Sequence, residues 1–263
     1  MQDLKVCLIQ CSIHWENIGK NLDEFGKRLD SVTNKPDIII FPEMFTTGFS
    51  MNTEVAELMN GQAVSWMKNK SAVSRCIIAG SLFICEDGKY FNRFVWMYPD
   101  GRIETYDKRH LFKMGNEHEI MSCGARKKIV EYQGWKINLQ ICYDLRFPVW
   151  SKNRFKNESY DFDVLVYIAN WPEIRNHAYK TLTIARAIEN QSYVIWVNRV
   201  GKDKNGINHS GDSMVIDPAG KILAAAPPGQ DEILHCVLNR EYLDDLRKKF
   251  TVGLDWDDFR MVN

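Results

Sequence analysis

The stretch LQICYDLRFPVW, residues 139–150, closes an apolar run on a cysteine and then turns abruptly polar. Upstream, KIVEY (128–132), the turn pair Gln133-Gly134 and WKINLQIC (135–142) read as a β-hairpin whose second arm is buried. Cys142 therefore sits where a strand stops, the kind of place where open α/β architectures build their sites.

Working outward, the same rhythm recurs. LKVCLIQC (4–11) is a strand, and Ile18, Leu22, Phe25, Leu29 and Val32 mark one face of a helix by alternating steps of four and three. DIIIFPE (37–43) is a short strand stopped by Pro42, which has no backbone donor. A helix from about Ala63 to Arg75 leads to the strand CIIAGSLFIC (76–85). FNRFVWMY and RIETY form a hairpin about PDG; DVLVYIAN is a strand, NHAYKTLTIARAIEN a helix and SYVIWVNRV a strand. A third hairpin turns at DPAG, EILHCVL is a further strand, REYLDDLRKKF is a short helix, and a tail begins at about residue 251. There is no repeat, low-complexity segment or linker, so the 263 residues read as a single domain. Helices interleaved with hairpins indicate an α/β class with mixed sheets.

Composition narrows the function. Hydrophobic content is 45% and charged content 26%, and 34 basic residues balance 34 acidic ones. That balance gives no electrostatic reason to expect nucleic acid or an anionic membrane as partner. No apolar run nears the ~20 residues of a membrane span, and the N-terminus lacks the apolar region of a signal peptide. Seven cysteines without a C-x-x-C pair argue against a disulfide framework and for a reducing, cytoplasmic setting. His110, His118, Glu117 and Glu119 lie close in sequence but not at metal-ligand spacing, so no metal is expected.

Two more strand ends carry chemistry: Glu43 after IIIFP and Lys108 after RIETYD. An acid, an amine and a thiol are the inventory of covalent acyl transfer. Glu43 could take the thiol proton, Lys108 could stabilise a thiolate or oxyanion, and the backbone N–H of Tyr143 could be a second oxyanion donor. Read singly, each has a plainer role: Cys142 as a core thiol, Glu43 as a cap, Lys108 as surface charge.

Taken together, FPEMFTTGF (41–49), YDKRHLF (106–112) and ICYDLRFP (141–148) resemble, in order, the Glu, Lys and Cys blocks of the nitrilase superfamily of carbon–nitrogen hydrolases. The resemblance continues through YIANWP, ARAIENQSYV, NRVG and GDSMVIDPAGKIL, so it covers nearly the whole chain. It implies a four-layer α-β-β-α sandwich, pairing through the outer helices into a homodimer, and no cofactor. By the same resemblance Glu43 is the general base, Lys108 the oxyanion-stabilising amine and Cys142 the nucleophile. A second glutamate is implied between lysine and cysteine; the spacing to Gly124 selects Glu117, with Glu119 as competitor.

Within the superfamily the motifs are most similar to the omega-amidase (2-oxoglutaramate amidase) branch, which implies small amide substrates carrying a far carboxylate. Arg146 or Arg175 could hold that carboxylate bidentately, the alternative for Arg146 being an internal pair with Asp144. Asn170, Trp171, Met44 and Phe45 are expected to line the pocket. Another small amide or an N-carbamoyl compound is the competing substrate class.

Overall fold

A computed structural model describes residues 2–259 and 261. Two six-stranded mixed sheets pack face to face. The first contains β1 (Leu4–Gln10), β2 (Ile38–Ile40), β3 (Ile77–Glu86), β4 (Lys89–Met97) and β5 (Ile103–Asp107), with the late strand β16 (Glu232–Leu238) beside β1. The second contains β6 (Lys128–Tyr132), β7 (Trp135–Ile141), β10 (Val164–Ala169), β11 (Tyr193–Asn198), β14 (Met214–Ile216) and β15 (Ile222–Ala225). Small ribbons are formed by β8 (Phe155–Lys156) with β9 (Ser159–Tyr160), and by β12 (Val200–Lys202) with β13 (Asn208–Ser210). The helices are α1 (Ile18–Asp30), α2 (Gln62–Ser74), α3 (Glu117–Ile120), α4 (Pro148–Ser151), α5 (Asn176–Asn190) and α6 (Arg240–Lys249).

Alternation along the strands builds the layers. Leu4, Val6 and Leu8 of β1, with Ile38 and Ile40 of β2, face the second sheet; Cys7, Ile9 and Ile39 face Leu22 and Phe25 of α1 and Met67 of α2. The three isoleucines of β2 are thus apolar on both sides, as suits a short parallel strand between β1 and β3. Burying each stabilises the fold by roughly 1.5–3 kcal/mol. On the far side of the second sheet Tyr179 and Ala187 of α5 and Leu243 of α6 are buried in the same apolar cluster, Tyr179 stacking on Trp196 of β11 (4.8 Å), which completes the α-β-β-α order. Both sheets have the same logic: a parallel centre (β1-β2-β3 and β7-β10-β11) with antiparallel flanks.

Two local readings change. The strand 76–85 is itself an arm of a hairpin with β4, turned at Asp87 (φ 51°) and Gly88 (φ 71°), the left-handed pair that a two-residue hairpin loop requires. The run SYVIWVNRV is not one strand: it breaks at Arg199, and Val200 onward pairs with β13 instead. The tail from about 251 is mostly exposed where it is described, but Trp256 anchors it, lying against Tyr160 (5.7 Å) and under the Lys152 ammonium (3.7 Å); residues 260, 262 and 263 lie outside the described ones. Among the described residues no helix is long and apolar enough to cross a membrane.

Candidate active site

Strand ends from both sheets meet at one point. Glu43 lies just beyond β2, Lys108 directly after β5, Cys142 directly after β7, and Asn170 directly after β10. Lys108 Nζ is 2.8 Å from Glu43 Oε1 and 3.0 Å from Glu117 Oε1. Glu43 and Glu117 are fully buried, and Lys108 is 1% exposed. Glu119, two residues on, is exposed, so Glu117 is the glutamate that the fold brings to the lysine.

Each of these groups is held from behind. Met44 follows Glu43 in a left-handed conformation (φ 46°), and its N–H donates to Ser81 Oγ at 2.8 Å. The Asn170 N–H donates to Glu43 Oε2 (2.7 Å), and its side-chain amide donates to the Glu43 carbonyl (2.5 Å). Glu117 Oε2 accepts the Phe112 N–H at 2.6 Å. Gly124 donates its N–H to the Lys108 carbonyl (2.9 Å), and a Cβ there would lie 2.1 Å from the Asp107 carbonyl oxygen, so only glycine fits.

Cys142 has φ 45° and opens a 3₁₀ turn, Cys142–Arg146. Tyr143 follows Cys142 in the first positions of that turn, where backbone N–H groups have no partner within the turn itself. Asp144 braces the turn: its carboxylate accepts from Ile141 N (3.1 Å), Tyr106 Oη (2.7 Å) and His110 N (3.0 Å), and contacts His110 Nδ1 at 2.7 Å. His110 in turn stacks on Phe147 with ring centres 3.7 Å apart.

Electrostatics follow from this burial. Desolvation, reinforced by Glu43 and opposed by Lys108, holds the Cys142 thiol well above the usual thiol range. Burial works against the Lys108 charge, but Glu117, Glu43 and Cys142 outweigh it and raise its pKa. Glu117 is raised by burial, with Lys108 opposing and Glu43 adding. The resting site is a neutral thiol beside a charged amine, so a thiolate forms only when a neighbouring base accepts its proton.

The site opens into a cavity of about 1090 Å³ lined by Lys108, Cys142, Tyr143, Arg146, Asn170, Trp171 and Arg175 among others. The Arg146 guanidinium lies 5.0 Å from the Trp171 ring centre, and that of Arg175 lies 5.4 Å from the Phe112 ring centre. Neither is ion-paired with a carboxylate among the described residues. The internal Arg146–Asp144 pair does not form, because Asp144 is already saturated by Tyr106, His110 and Ile141. Met44 and Phe45 do not line the cavity. Both are fully buried, Phe45 among Phe25, Phe41 and Trp66 and Met44 against Phe83, because the left-handed residue after Glu43 turns the chain back into the core.

Sequence reasoning missed Asn92, whose amide donates to Glu43 Oε1 (2.8 Å) and Glu117 Oε1 (3.2 Å). Its signal was a lone amide in the apolar strand KYFNRFVWM. It also missed the far wall, made by Trp15 and the β12–β13 ribbon with Asp203, Asn205 and His209. Among the described residues no group of three or more His, Cys, Asp or Glu side chains is arranged to hold a metal ion.

Comparison with known proteins finds relatives over the whole length of the chain. The family model described as carbon-nitrogen hydrolase matches residues 5–248. The omega-amidase YafV of Yersinia enterocolitica is 42% identical over 262 residues, covering 100% of both chains. The 2-oxoglutaramate amidase of Bacillus subtilis is 30% identical, covering 97% of each. The crystal structure of XC1258 from Xanthomonas campestris, a CN-hydrolase superfamily protein with an arsenic adduct in its active site, superposes with a TM-score of 0.97 at 41% identity, covering 100% of both chains.

Proposed function

The chain belongs to the carbon–nitrogen hydrolase family, and from that premise we propose that it is an omega-amidase. It hydrolyses the terminal amide of small 2-oxo dicarboxylate monoamides, such as 2-oxoglutaramate and 2-oxosuccinamate, to the acid and ammonia. The observation that carries this reading is the pair of guanidiniums, Arg146 and Arg175, lining the cavity that holds Cys142 and Lys108 without a carboxylate of their own. Either provides the fork that a substrate carboxylate fits. The relatives named omega-amidase and 2-oxoglutaramate amidase support it from the sequence side.

Catalysis proceeds from the contacts above. Glu43 takes the Cys142 proton, and the sulfur attacks the amide carbon. Lys108 Nζ and the Tyr143 N–H hold the tetrahedral oxyanion. Protonated Glu43 passes its proton to the departing nitrogen, ammonia leaves, and a thioester to Cys142 remains. Glu43, again a carboxylate, deprotonates a water positioned by Glu117; the hydroxide attacks the thioester, and the returning proton restores the thiol as the acid leaves. Arg146 and Arg175 orient the far carboxylate, and Asn170 and Trp171 shape the wall around it.

The seven free cysteines fit a reducing, cytoplasmic setting. Pairing through the outer helices is part of the same proposal, supported by the exposed apolar Ile188 on α5 and Tyr242 on α6.

An ammonia-release panel tests the reading: 2-oxoglutaramate, 2-oxosuccinamate, glutamine, an aliphatic amide, a nitrile and an N-carbamoyl amino acid. The 2-oxo monoamides are expected to have the highest kcat/KM, and Cys142→Ala to abolish turnover with the fold intact. Preference for a neutral amide or a carbamoyl compound overturns the substrate; turnover by Cys142→Ala overturns the nucleophile.

A further inference from the structure

Asn92 is fully buried in the middle of β4 and lies between two carboxylates. Its Nδ2 is 2.8 Å from Glu43 Oε1 and 3.2 Å from Glu117 Oε1, the same two oxygens that Lys108 Nζ bridges. The orientation of the amide is fixed by its surroundings: only the NH₂ end can face two carboxylate oxygens without repulsion. Its Oδ1 has no hydrogen-bond partner among the described residues, so the side chain gives up one acceptor to place both donors.

The charged groups facing this point come from four elements: Glu43 beyond β2, Lys108 beyond β5, Glu117 on α3 and Cys142 beyond β7. The Asn170 and Phe112 N–H groups complete the shell. Two buried carboxyl groups thus face one ammonium at the inner end of the cavity. Two carboxylates so placed would otherwise share a proton. The Asn92 amide supplies a second pair of N–H bonds to the same two carboxylate oxygens.

We propose that Asn92 is a positioning residue that keeps Glu43 and Glu117 ionised side by side, and thereby sets the acid edge of the active range. The proposal rests on the reading of Glu43 as the base. The backbone of Asn92 has a separate task, accepting the Lys108 N–H at 3.0 Å, and any side chain at position 92 leaves that bond in place. A substitution therefore isolates the amide.

The test compares Asn92→Leu and Asn92→Asp with the wild type, measuring kcat/KM for 2-oxoglutaramate and the rate of Cys142 alkylation by iodoacetamide across pH, with melting temperatures alongside. Asn92→Leu should move the acid limb of both profiles upward by about one pH unit or more. Its kcat should fall ~10- to 100-fold on the acid side and recover toward higher pH, with KM within about twofold. Asn92→Asp adds a third carboxylate and should move the limb further. Should Asn92→Leu fail to fold, Asn92→Asp, which has nearly the same shape, carries the test alone. Profiles that superimpose on the wild type, or a loss confined to KM, overturn the proposal. Alkylation needs no substrate, so the assignment of Asn92 can be judged even if the wild type hydrolyses a different amide.

Discussion

The two ends of the cavity are built on opposite principles. At the inner end Glu43, Glu117 and Lys108 are at most 1% exposed, and each charged atom has a protein partner within 3.0 Å. At the outer end Arg146 is exposed and Arg175 half-buried, both resting on aromatic rings. Met114 and Ile174 flank the mouth with 84% and 86% exposure. The inner charges are settled before a substrate arrives, so they depend on one another. Those at the outer end await a partner, and either can change with little effect on the rest. Chemistry and selectivity thus have different tolerance to substitution in one cavity.

The most severe way to probe that contrast is Lys108→Met. It leaves two buried carboxylates without their cation, and stability should fall by about 3–5 kcal/mol as kcat/KM falls at least ~10³-fold. Urea unfolding and turnover measured on one preparation check this; a stable, active variant would mean that the inner end is not interdependent. Next in size are Arg146→Met and Arg175→Met. If the outer end is modular, one of them should raise KM for a carboxylate-bearing amide by ~10- to 100-fold while kcat/KM for a short neutral amide changes less than about twofold. Equal losses on both substrates would erase the distinction.

The smallest expected effect concerns the far wall. His209 on β13 is 3% exposed, its Nδ1 lies 3.1 Å from the Ile207 carbonyl, and burial depresses its pKa from 6.5 to about 4. The folded wall therefore binds fewer protons than the unfolded chain. The stability that His209 contributes is complete above about pH 6.5 and is lost as the pH falls toward 4. Between pH 7 and 5 the wild type should lose about 2 kcal/mol more than His209→Asn, a few degrees of melting temperature. Parallel pH–melting curves for the two proteins would contradict this.

The contrast also explains what was legible in the sequence. Strand ends are written locally: an apolar run meets Pro42, or simply stops, and a reactive side chain follows. Glu43, Lys108 and Cys142 could therefore be picked out as candidates, with the strands that end at them, while the roles proposed for them came from the family resemblance. Partnerships across the fold are not written locally. Nothing near Asn92 announces two carboxylates, and nothing in the spacing of Asp144 and Arg146 reveals that Tyr106 and His110 occupy the carboxylate first. Met44 and Phe45 were misplaced because a left-handed φ is hard to foresee at a methionine. The Asp87-Gly88 hairpin, by contrast, was legible and overlooked, as its D-G pair is the standard sequence mark of such a turn.

The left-handed backbone at Cys142 has an implication for how this protein could be improved. A non-glycine residue in that region is held against its own preference, at about 1 kcal/mol or more. Selection for heat resistance alone would favour glycine there, which would remove the proposed nucleophile. Laboratory evolution for robustness must therefore carry an activity screen at every round, or it will drift toward a durable protein with nothing left to attack an amide.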